Sequence, residues 1–161
     1  MINLTSTIQL DVRDITDFAR IREDGPRIVQ QNLLLGMEAG VNDLHGTTLD
    51  LTPLCRSGKL RESLQKFILQ TGRGVTGQVK SLGSVAPYNE FVHEGRGPVV
   101  AKRAKALRLT LCNGTVLYRK RVKAAPANRF LEKGLRQSEP KIVRHMEDAM
   151  GQIVSELERP S

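Results

Sequence analysis

GRGPVVAKRAKALRLTLCNGTVLYRKRVKAAPANRF, residues 95–130, is the stretch from which the architecture is read most directly. Asn113-Gly114 stands at its middle, with Leu107, Leu109 and Leu111 alternating before it and Val116, Tyr118 and Val122 after it. An Asn-Gly pair accepts the two positive φ values of a type I′ turn, so the spacing predicts a β-hairpin closed at that dipeptide. The same 36 residues hold ten bases (Arg96, Lys102, Arg103, Lys105, Arg108, Arg119, Lys120, Arg121, Lys123 and Arg129) and no acid. Removing them from the chain's 25 Lys and Arg leaves 15 against 17 Asp and Glu, so the net charge of +8 is local to this stretch. The hairpin is expected to have a cationic loop before it and a cationic second strand.

Toward the N-terminus, Tyr88–Glu94 reads as one or two helical turns. Phe67, Ile68 and Leu69 begin a strand, Gly72-Arg73-Gly74 breaks it, and Val75, Gly77 and Val79 alternate on a return strand. Ser57 is the expected N-cap of a short helix, Gly58–Gln65, with Leu60 and Leu64 on one face. Leu49–Pro53 is expected to be extended because proline disfavours the helical region for its predecessor, and Gly46 to mark a polar link. From Arg27 to about His45, Val29, Leu33, Met37, Val41 and Leu44 recur at steps of four and three. That spacing predicts a long helix with one buried stripe, entered at Pro26 and weakened at Gly36 and Gly40. Asp14 or Thr16 is expected to cap a brief helix through Ile21, and Ile8, Leu10 and Val12 to form a half-buried strand.

Toward the C-terminus, Pro126 is expected to open a short helix with Phe130, Leu131 and Leu135. Ser138 is expected to cap a separate final helix with Pro140 in its first turn. There Ile142, Met146, Met150, Ile153 and Leu157 repeat at four and three. No linker or repeat divides the sequence, so residues 1–161 are read as a single domain.

The chemistry-bearing motifs are weak. Gly72-Arg73-Gly74-Val75-Thr76-Gly77 matches G-x-G-x-x-G, but a dinucleotide site needs a helix to open there. The alternation that follows predicts a glycine-rich hairpin turn instead. His93-Glu94 begins H-E-x-x-H, yet position 97 is Gly, so zinc is not expected. Ser57, Ser63, Cys55 and Cys112 lack a nucleophile-elbow signature, and two isolated cysteines suit neither a disulfide framework nor a metal site. No catalytic residue, metal or cofactor is therefore expected, and no membrane span: the longest apolar run is Leu33-Leu34-Leu35. Met1–Leu10 has neither a basic region nor an apolar core, which places synthesis in a cytoplasm.

Arg96, Lys102, Arg103, Lys105, Arg108, Arg119, Lys120, Arg121 and Lys123 form the candidate interaction patch. Such a patch is either an ordinary solvated surface or one that attracts a phosphate backbone or an acidic protein face. Tyr118 is the only aromatic between Phe91 and Phe130, which argues against stacking on single strands. One reading is a small basic nucleic-acid-binding protein that uses the 107–123 hairpin.

Three segments resemble a known family. Thr52-Pro53-Leu54-Cys55-Arg56-Ser57-Gly58-Lys59-Leu60-Arg61-Glu62-Ser63 is similar to the T-P-x-x-x-[ST]-G-x-L-R-x-S signature of neck and tail-completion proteins (minor tail components) of tailed bacteriophages. Tyr88–Gly95 resembles that family's tyrosine-to-glycine segment, and Ala125–Leu135 its proline-then-Phe-Leu entry into the last helix. The family places an acid, then an aromatic or apolar residue, before the glycine and a threonine after it; here stand His93, Glu94 and Arg96. Arg129 occupies a place commonly held by proline. The resemblance implies an α+β fold, an antiparallel sheet of hairpins flanked by a long N-terminal and a long C-terminal helix. It also implies a structural virion protein without catalysis or cofactor. That protein would form a homo-oligomeric ring, six-fold or twelve-fold, between head-completion proteins and the tail tube or tail terminator. The basic patch would face the genomic double-stranded DNA in the channel or an acidic neighbour.

Overall fold

In the computed structural model, residues 4–9 (as backbone), 25–54, 58–71, 74–102, 104–111 and 114–158 are described. Helix α1 (Gly25–Leu51) buries all five stripe residues, Val29, Leu33, Met37, Val41 and Leu44. Burying each stabilises by roughly 1.5–3 kcal/mol, which outweighs the roughly 1 kcal/mol that each internal glycine costs a helix. Pro26 sits in the first turn, as expected. The helix runs on through Gly46 to Leu51, so the polar link and the extended segment at 49–53 do not occur. Pro53 restrains only Thr52, whose Oγ1 donates to the Thr48 carbonyl at 2.7 Å and finishes the helix.

At the other end, α4 (Phe130–Glu158) is one continuous helix in place of the two expected. Ser138 is not a cap: it is fully buried, and its Oγ donates to the Gly134 carbonyl at 2.8 Å. Pro140 lies on the exposed side within the helix, and Pro126 lies before it. Leu131, Ser138, Ile142, Met146, Ala149, Ile153 and Leu157 are buried along α4. Met150 is 38% exposed, and Ala149 takes the place expected for it, because steps of four overshoot a period of 3.6.

The two long helices pack antiparallel over small residues. A Cβ on Gly36 would stand 2.8 Å from the Ala149 Cβ, and one on Gly40 would stand 3.4 Å from Ile142 Cγ2. A Cβ on Gly134 would overlap Thr48 Oγ1. The glycines expected to weaken α1 are thus where α4 comes close.

Strands β2 (Leu64–Thr71) and β3 (Gly74–Ser81) form the expected hairpin, with Leu64 opposite Ser81 and Thr71 opposite Gly74. Strand β1 (Leu4–Gln9) joins the far side of β3, giving an antiparallel sheet of order β1-β3-β2. Ile8 belongs to β1; Leu10, Val12 and the helix expected from Asp14 or Thr16 lie outside the described residues. On β3, Val75, Gly77, Val79 and Ser81 are buried. A Cβ on Gly77 would overlap Val41 Cγ2 and stand 2.8 Å from Met37 Sδ, so this bare position lets the stripe of α1 rest on the sheet. Gly74 and Gly77 of the G-x-G-x-x-G string therefore lie in a strand, not at a helix start. Helix α2 (Lys59–Glu62) is shorter than expected, because Leu64 already begins β2, and Ser57 is outside the described residues. Helix α3 (Asn89–His93) matches the turns expected over 88–94.

The basic stretch forms an arm of two ladders, β4 (Val99–Val100) with β7 (Arg121–Val122) and β5 (Leu107–Thr110) with β6 (Val116–Arg119). Between Val100↔Arg121 and Leu107↔Arg119, residues 101–106 stand on one strand against Lys120 alone on the other. The arm is thus one long antiparallel hairpin carrying a five-residue bulge. The Arg96–Ala125 bridge closes its root.

Candidate functional site

The hairpin forms, but its turn is one residue out of the expected register. Leu109 faces Leu117 and Thr110 faces Val116. The Leu111 N–H donates to the Thr115 carbonyl and the Gly114 N–H to the Leu111 carbonyl, each at 2.8 Å. Leu111 thus pairs with Thr115, where a two-residue turn at Asn113-Gly114 would pair it with Val116; Gly114 has φ 86°, and Cys112 and Asn113 lie outside the described residues. The shift exchanges faces on the second strand. Leu117 turns inward with Leu107 and Leu109, while Val116 and Tyr118 are exposed, at 37% and 68%.

The candidate bases fall into two groups. Lys102, Lys105, Arg108, Arg119, Lys120, Arg121 and Lys123 are all exposed on the arm, and Arg103 lies outside the described residues. Arg108 stands opposite Tyr118 on one face of the ribbon and Arg119 opposite Leu107 on the other. The charge therefore surrounds the arm. Arg96 differs: it is half-buried at the arm's root, away from the bulge.

Around that root the described parts of residues 52–63, 88–95 and 125–135, far apart in sequence, come together. The first is held by its own motif residues. Arg61 Nε and Nη2 both donate to the Thr52 carbonyl at 3.3 Å, and Leu60 is buried in the core. Ser63 Oγ donates to the Leu60 carbonyl at 2.6 Å and lies 2.9 Å from Ser81 Oγ. Asn89, at the start of α3, donates from Nδ2 to the Ser81 carbonyl and to Ser81 Oγ, each at 3.0 Å. This buried network fastens the end of α2, the end of β3 and the start of α3 to one another.

The second and third segments are laced by backbone bonds. Arg96 and Ala125 exchange N–H···O=C bonds of 2.9 Å, Asn128 N–H donates to the Val92 carbonyl at 3.1 Å, and Arg129 N–H to the His93 carbonyl at 3.0 Å. Gly95 has φ 79°, and a Cβ there would stand 2.7 Å from the Ala125 carbonyl oxygen. This position needs glycine on both counts. His93 is buried edge-on to Phe130 with ring centroids 5.2 Å apart, and its Nδ1 lies 2.8 Å from Glu94 Oε1. Its Nε2 is buried without a hydrogen-bond partner. Among the described residues no group of three or more His, Cys, Asp and Glu can hold a metal ion. No helix there is long and apolar enough to cross a membrane.

Where the three segments meet, the surface opens into a cleft of about 440 Å³. Pro53 comes from the end of α1, and Tyr88, Phe91 and Val92 from α3 and the residue before it. Arg96, Ala125, Pro126 and Asn128 close the other wall. Phe91 is 57% exposed and the neighbouring Leu54 73%. The Nη1 of Arg96 is buried without a hydrogen-bond partner. Sequence reasoning placed Arg96 in the general basic patch and did not find the cleft. The signal available was the position of Phe91, an aromatic two places past the buried Asn89 on a one-turn helix. Searches with this chain against family models, curated proteins and solved structures give no match.

Proposed function

We propose that the chain is a structural subunit of the head-to-tail joint of a tailed bacteriophage, a neck or tail-completion protein that acts by assembly rather than by catalysis. The observation that carries this reading is that one cleft at the root of the arm is lined from all three segments, by Pro53, by Tyr88, Phe91 and Val92, and by Ala125, Pro126 and Asn128. Motif matches scattered by chance have no reason to share a surface. The α+β architecture with two long helices supports it as well. In this role copies associate as a six-fold or twelve-fold ring in the virion, bounded by head-completion proteins and the tail tube or tail terminator. The arm then meets genomic duplex or an acidic neighbour.

The test is multi-angle light scattering of the purified chain over a range of concentrations, with negative-stain imaging of any large species. A closed ring with a central hole is the expected result. A second reading, a nucleic-acid-binding module, is favoured by the exposure of seven bases on a ribbon standing apart from the three-stranded sheet. It predicts a monomer that binds duplex DNA with an affinity falling by about 0.9 log unit per log unit of salt for each phosphate neutralised. A monomer with that salt slope would replace the joint reading.

A further inference from the structure

We infer that the cleft at the arm's root is a docking site for an extended acidic segment of a neighbouring protein, with Arg96 receiving a carboxylate and Phe91 an apolar side chain beside it. The inference rests on the assembly reading in giving its partner's chemistry. It stands on the cleft alone in giving its ligand class. The walls are apolar, from Pro53, Phe91, Val92 and Pro126, and no acid lines them. The polar groups contributed by Arg96 and Asn128 include N–H donors, and Asn128 Oδ1 is already engaged by Lys133 Nζ at 3.4 Å. A cleft with donors and no anion is complementary to an acceptor carrying negative charge.

Arg96 is the telling residue. Its backbone is fixed by two bonds to Ala125 and by the left-handed Gly95 before it, so the root of the side chain is rigid. Among the described residues its guanidinium has no ion-pair partner, and Nη1 is buried without any acceptor. Nη1 itself is out of a ligand's reach, but Arg96 is only half-buried and lines the cleft, and a planar guanidinium pairs best with a carboxylate. Apolar walls and the exposed Phe91 ring suit a polypeptide better than a duplex, whose backbone offers phosphates without side chains to fill the cleft. A segment lying across one-turn α3 and residues 125–128 would bring its alternate side chains to these walls.

The experiment is selection from a display library of random seven-residue peptides whose central residue is fixed as Glu, followed by binding measurements on the full chain. Each selected peptide is compared with its Gln counterpart. The expected result is peptides with apolar residues beside the Glu. Their affinity should fall about tenfold or more with central Gln, with Arg96→Gln, or with Arg96→Lys, while circular dichroism is unchanged. Phe91→Ser should weaken binding from the opposite wall. Gln counterparts that bind equally, peptides indifferent to both Arg96→Gln and Phe91→Ser, or a library that yields no binder would each overturn the inference. Displacement of the peptide from the cleft by a short duplex in preference to its Gln counterpart would assign the cleft to phosphate instead. Peptide binding by a chain that forms no ring would sink the joint reading and leave the docking site standing; a ring with an inert cleft would do the reverse.

Discussion

Single atoms decide several contacts here. Gly77 is the point at which the sheet touches α1, and the space a methyl group would need is held by Val41 and Met37. Gly77→Ala is expected to lower stability by about 1–3 kcal/mol, read as a lower urea midpoint at constant slope; an unchanged midpoint would mean that α1 can withdraw from the sheet at little cost. Arg129 adopts φ 51° while its N–H is spent on the His93 carbonyl. Proline fixes φ near −65° and has no N–H, so it does not fit this backbone. Arg129→Pro is expected to cost at least about 1 kcal/mol from the lost hydrogen bond alone, measured by thermal unfolding. Pro140 has the opposite sign. It leaves α4 continuous but supplies no backbone donor from an exposed position within it, so Pro140→Ala should raise the melting temperature, with up to about 3 kcal/mol available from helix propensity.

At the level of elements, the helix pair and the arm have different sources of stability. Leu33 of α1 and Met146 of α4 are buried, at 2% and 8% exposure. An Asp at either leaves a carboxylate without a partner in the core, so Leu33→Asp and Met146→Asp should fail to give a cooperative unfolding transition. Recovery of a folded, soluble Asp variant would contradict the placement of these faces. The arm consists of two-stranded ladders, which are marginal by themselves in water. Its amides over 107–119 are expected to exchange with solvent much faster than those of α1, and replacing Lys102, Arg103, Arg119, Lys120 and Arg121 with neutral residues should change stability by no more than about 0.5 kcal/mol. The stripes of both long helices and the two hairpins were legible because each has a strict period over many residues. What misled was local chemistry taken without its surroundings. Ser138 and Pro140 have the appearance of a helix start, yet Leu131, Leu135, Ser138 and Ile142 continue the same four-and-three spacing, and a buried serine can bond within its own helix. Asn113-Gly114 suggested a two-residue turn, whereas Leu111 pairs with Thr115, one residue out of that register. The cleft was not legible at all, since it depends on pairing between segments some thirty residues apart, and no periodicity reports that.

For the molecule as a whole, α1 and α4 come from opposite ends of the described chain and bury one another, while the arm between Arg96 and Ala125 leaves the body and returns to the same place. Chain continuity through the arm is thus unnecessary to the core. Trypsin, which cleaves after lysine and arginine, should cut first at the exposed bases of the ribbon and leave two polypeptides that elute together under native conditions. Expressed separately, residues 1–102 and 121–161 should reassemble by the docking of α4 on α1. A fluorescent protein spliced into the bulge would ride on the molecule without entering its core, which makes the arm a natural handle for locating the subunit in a larger particle.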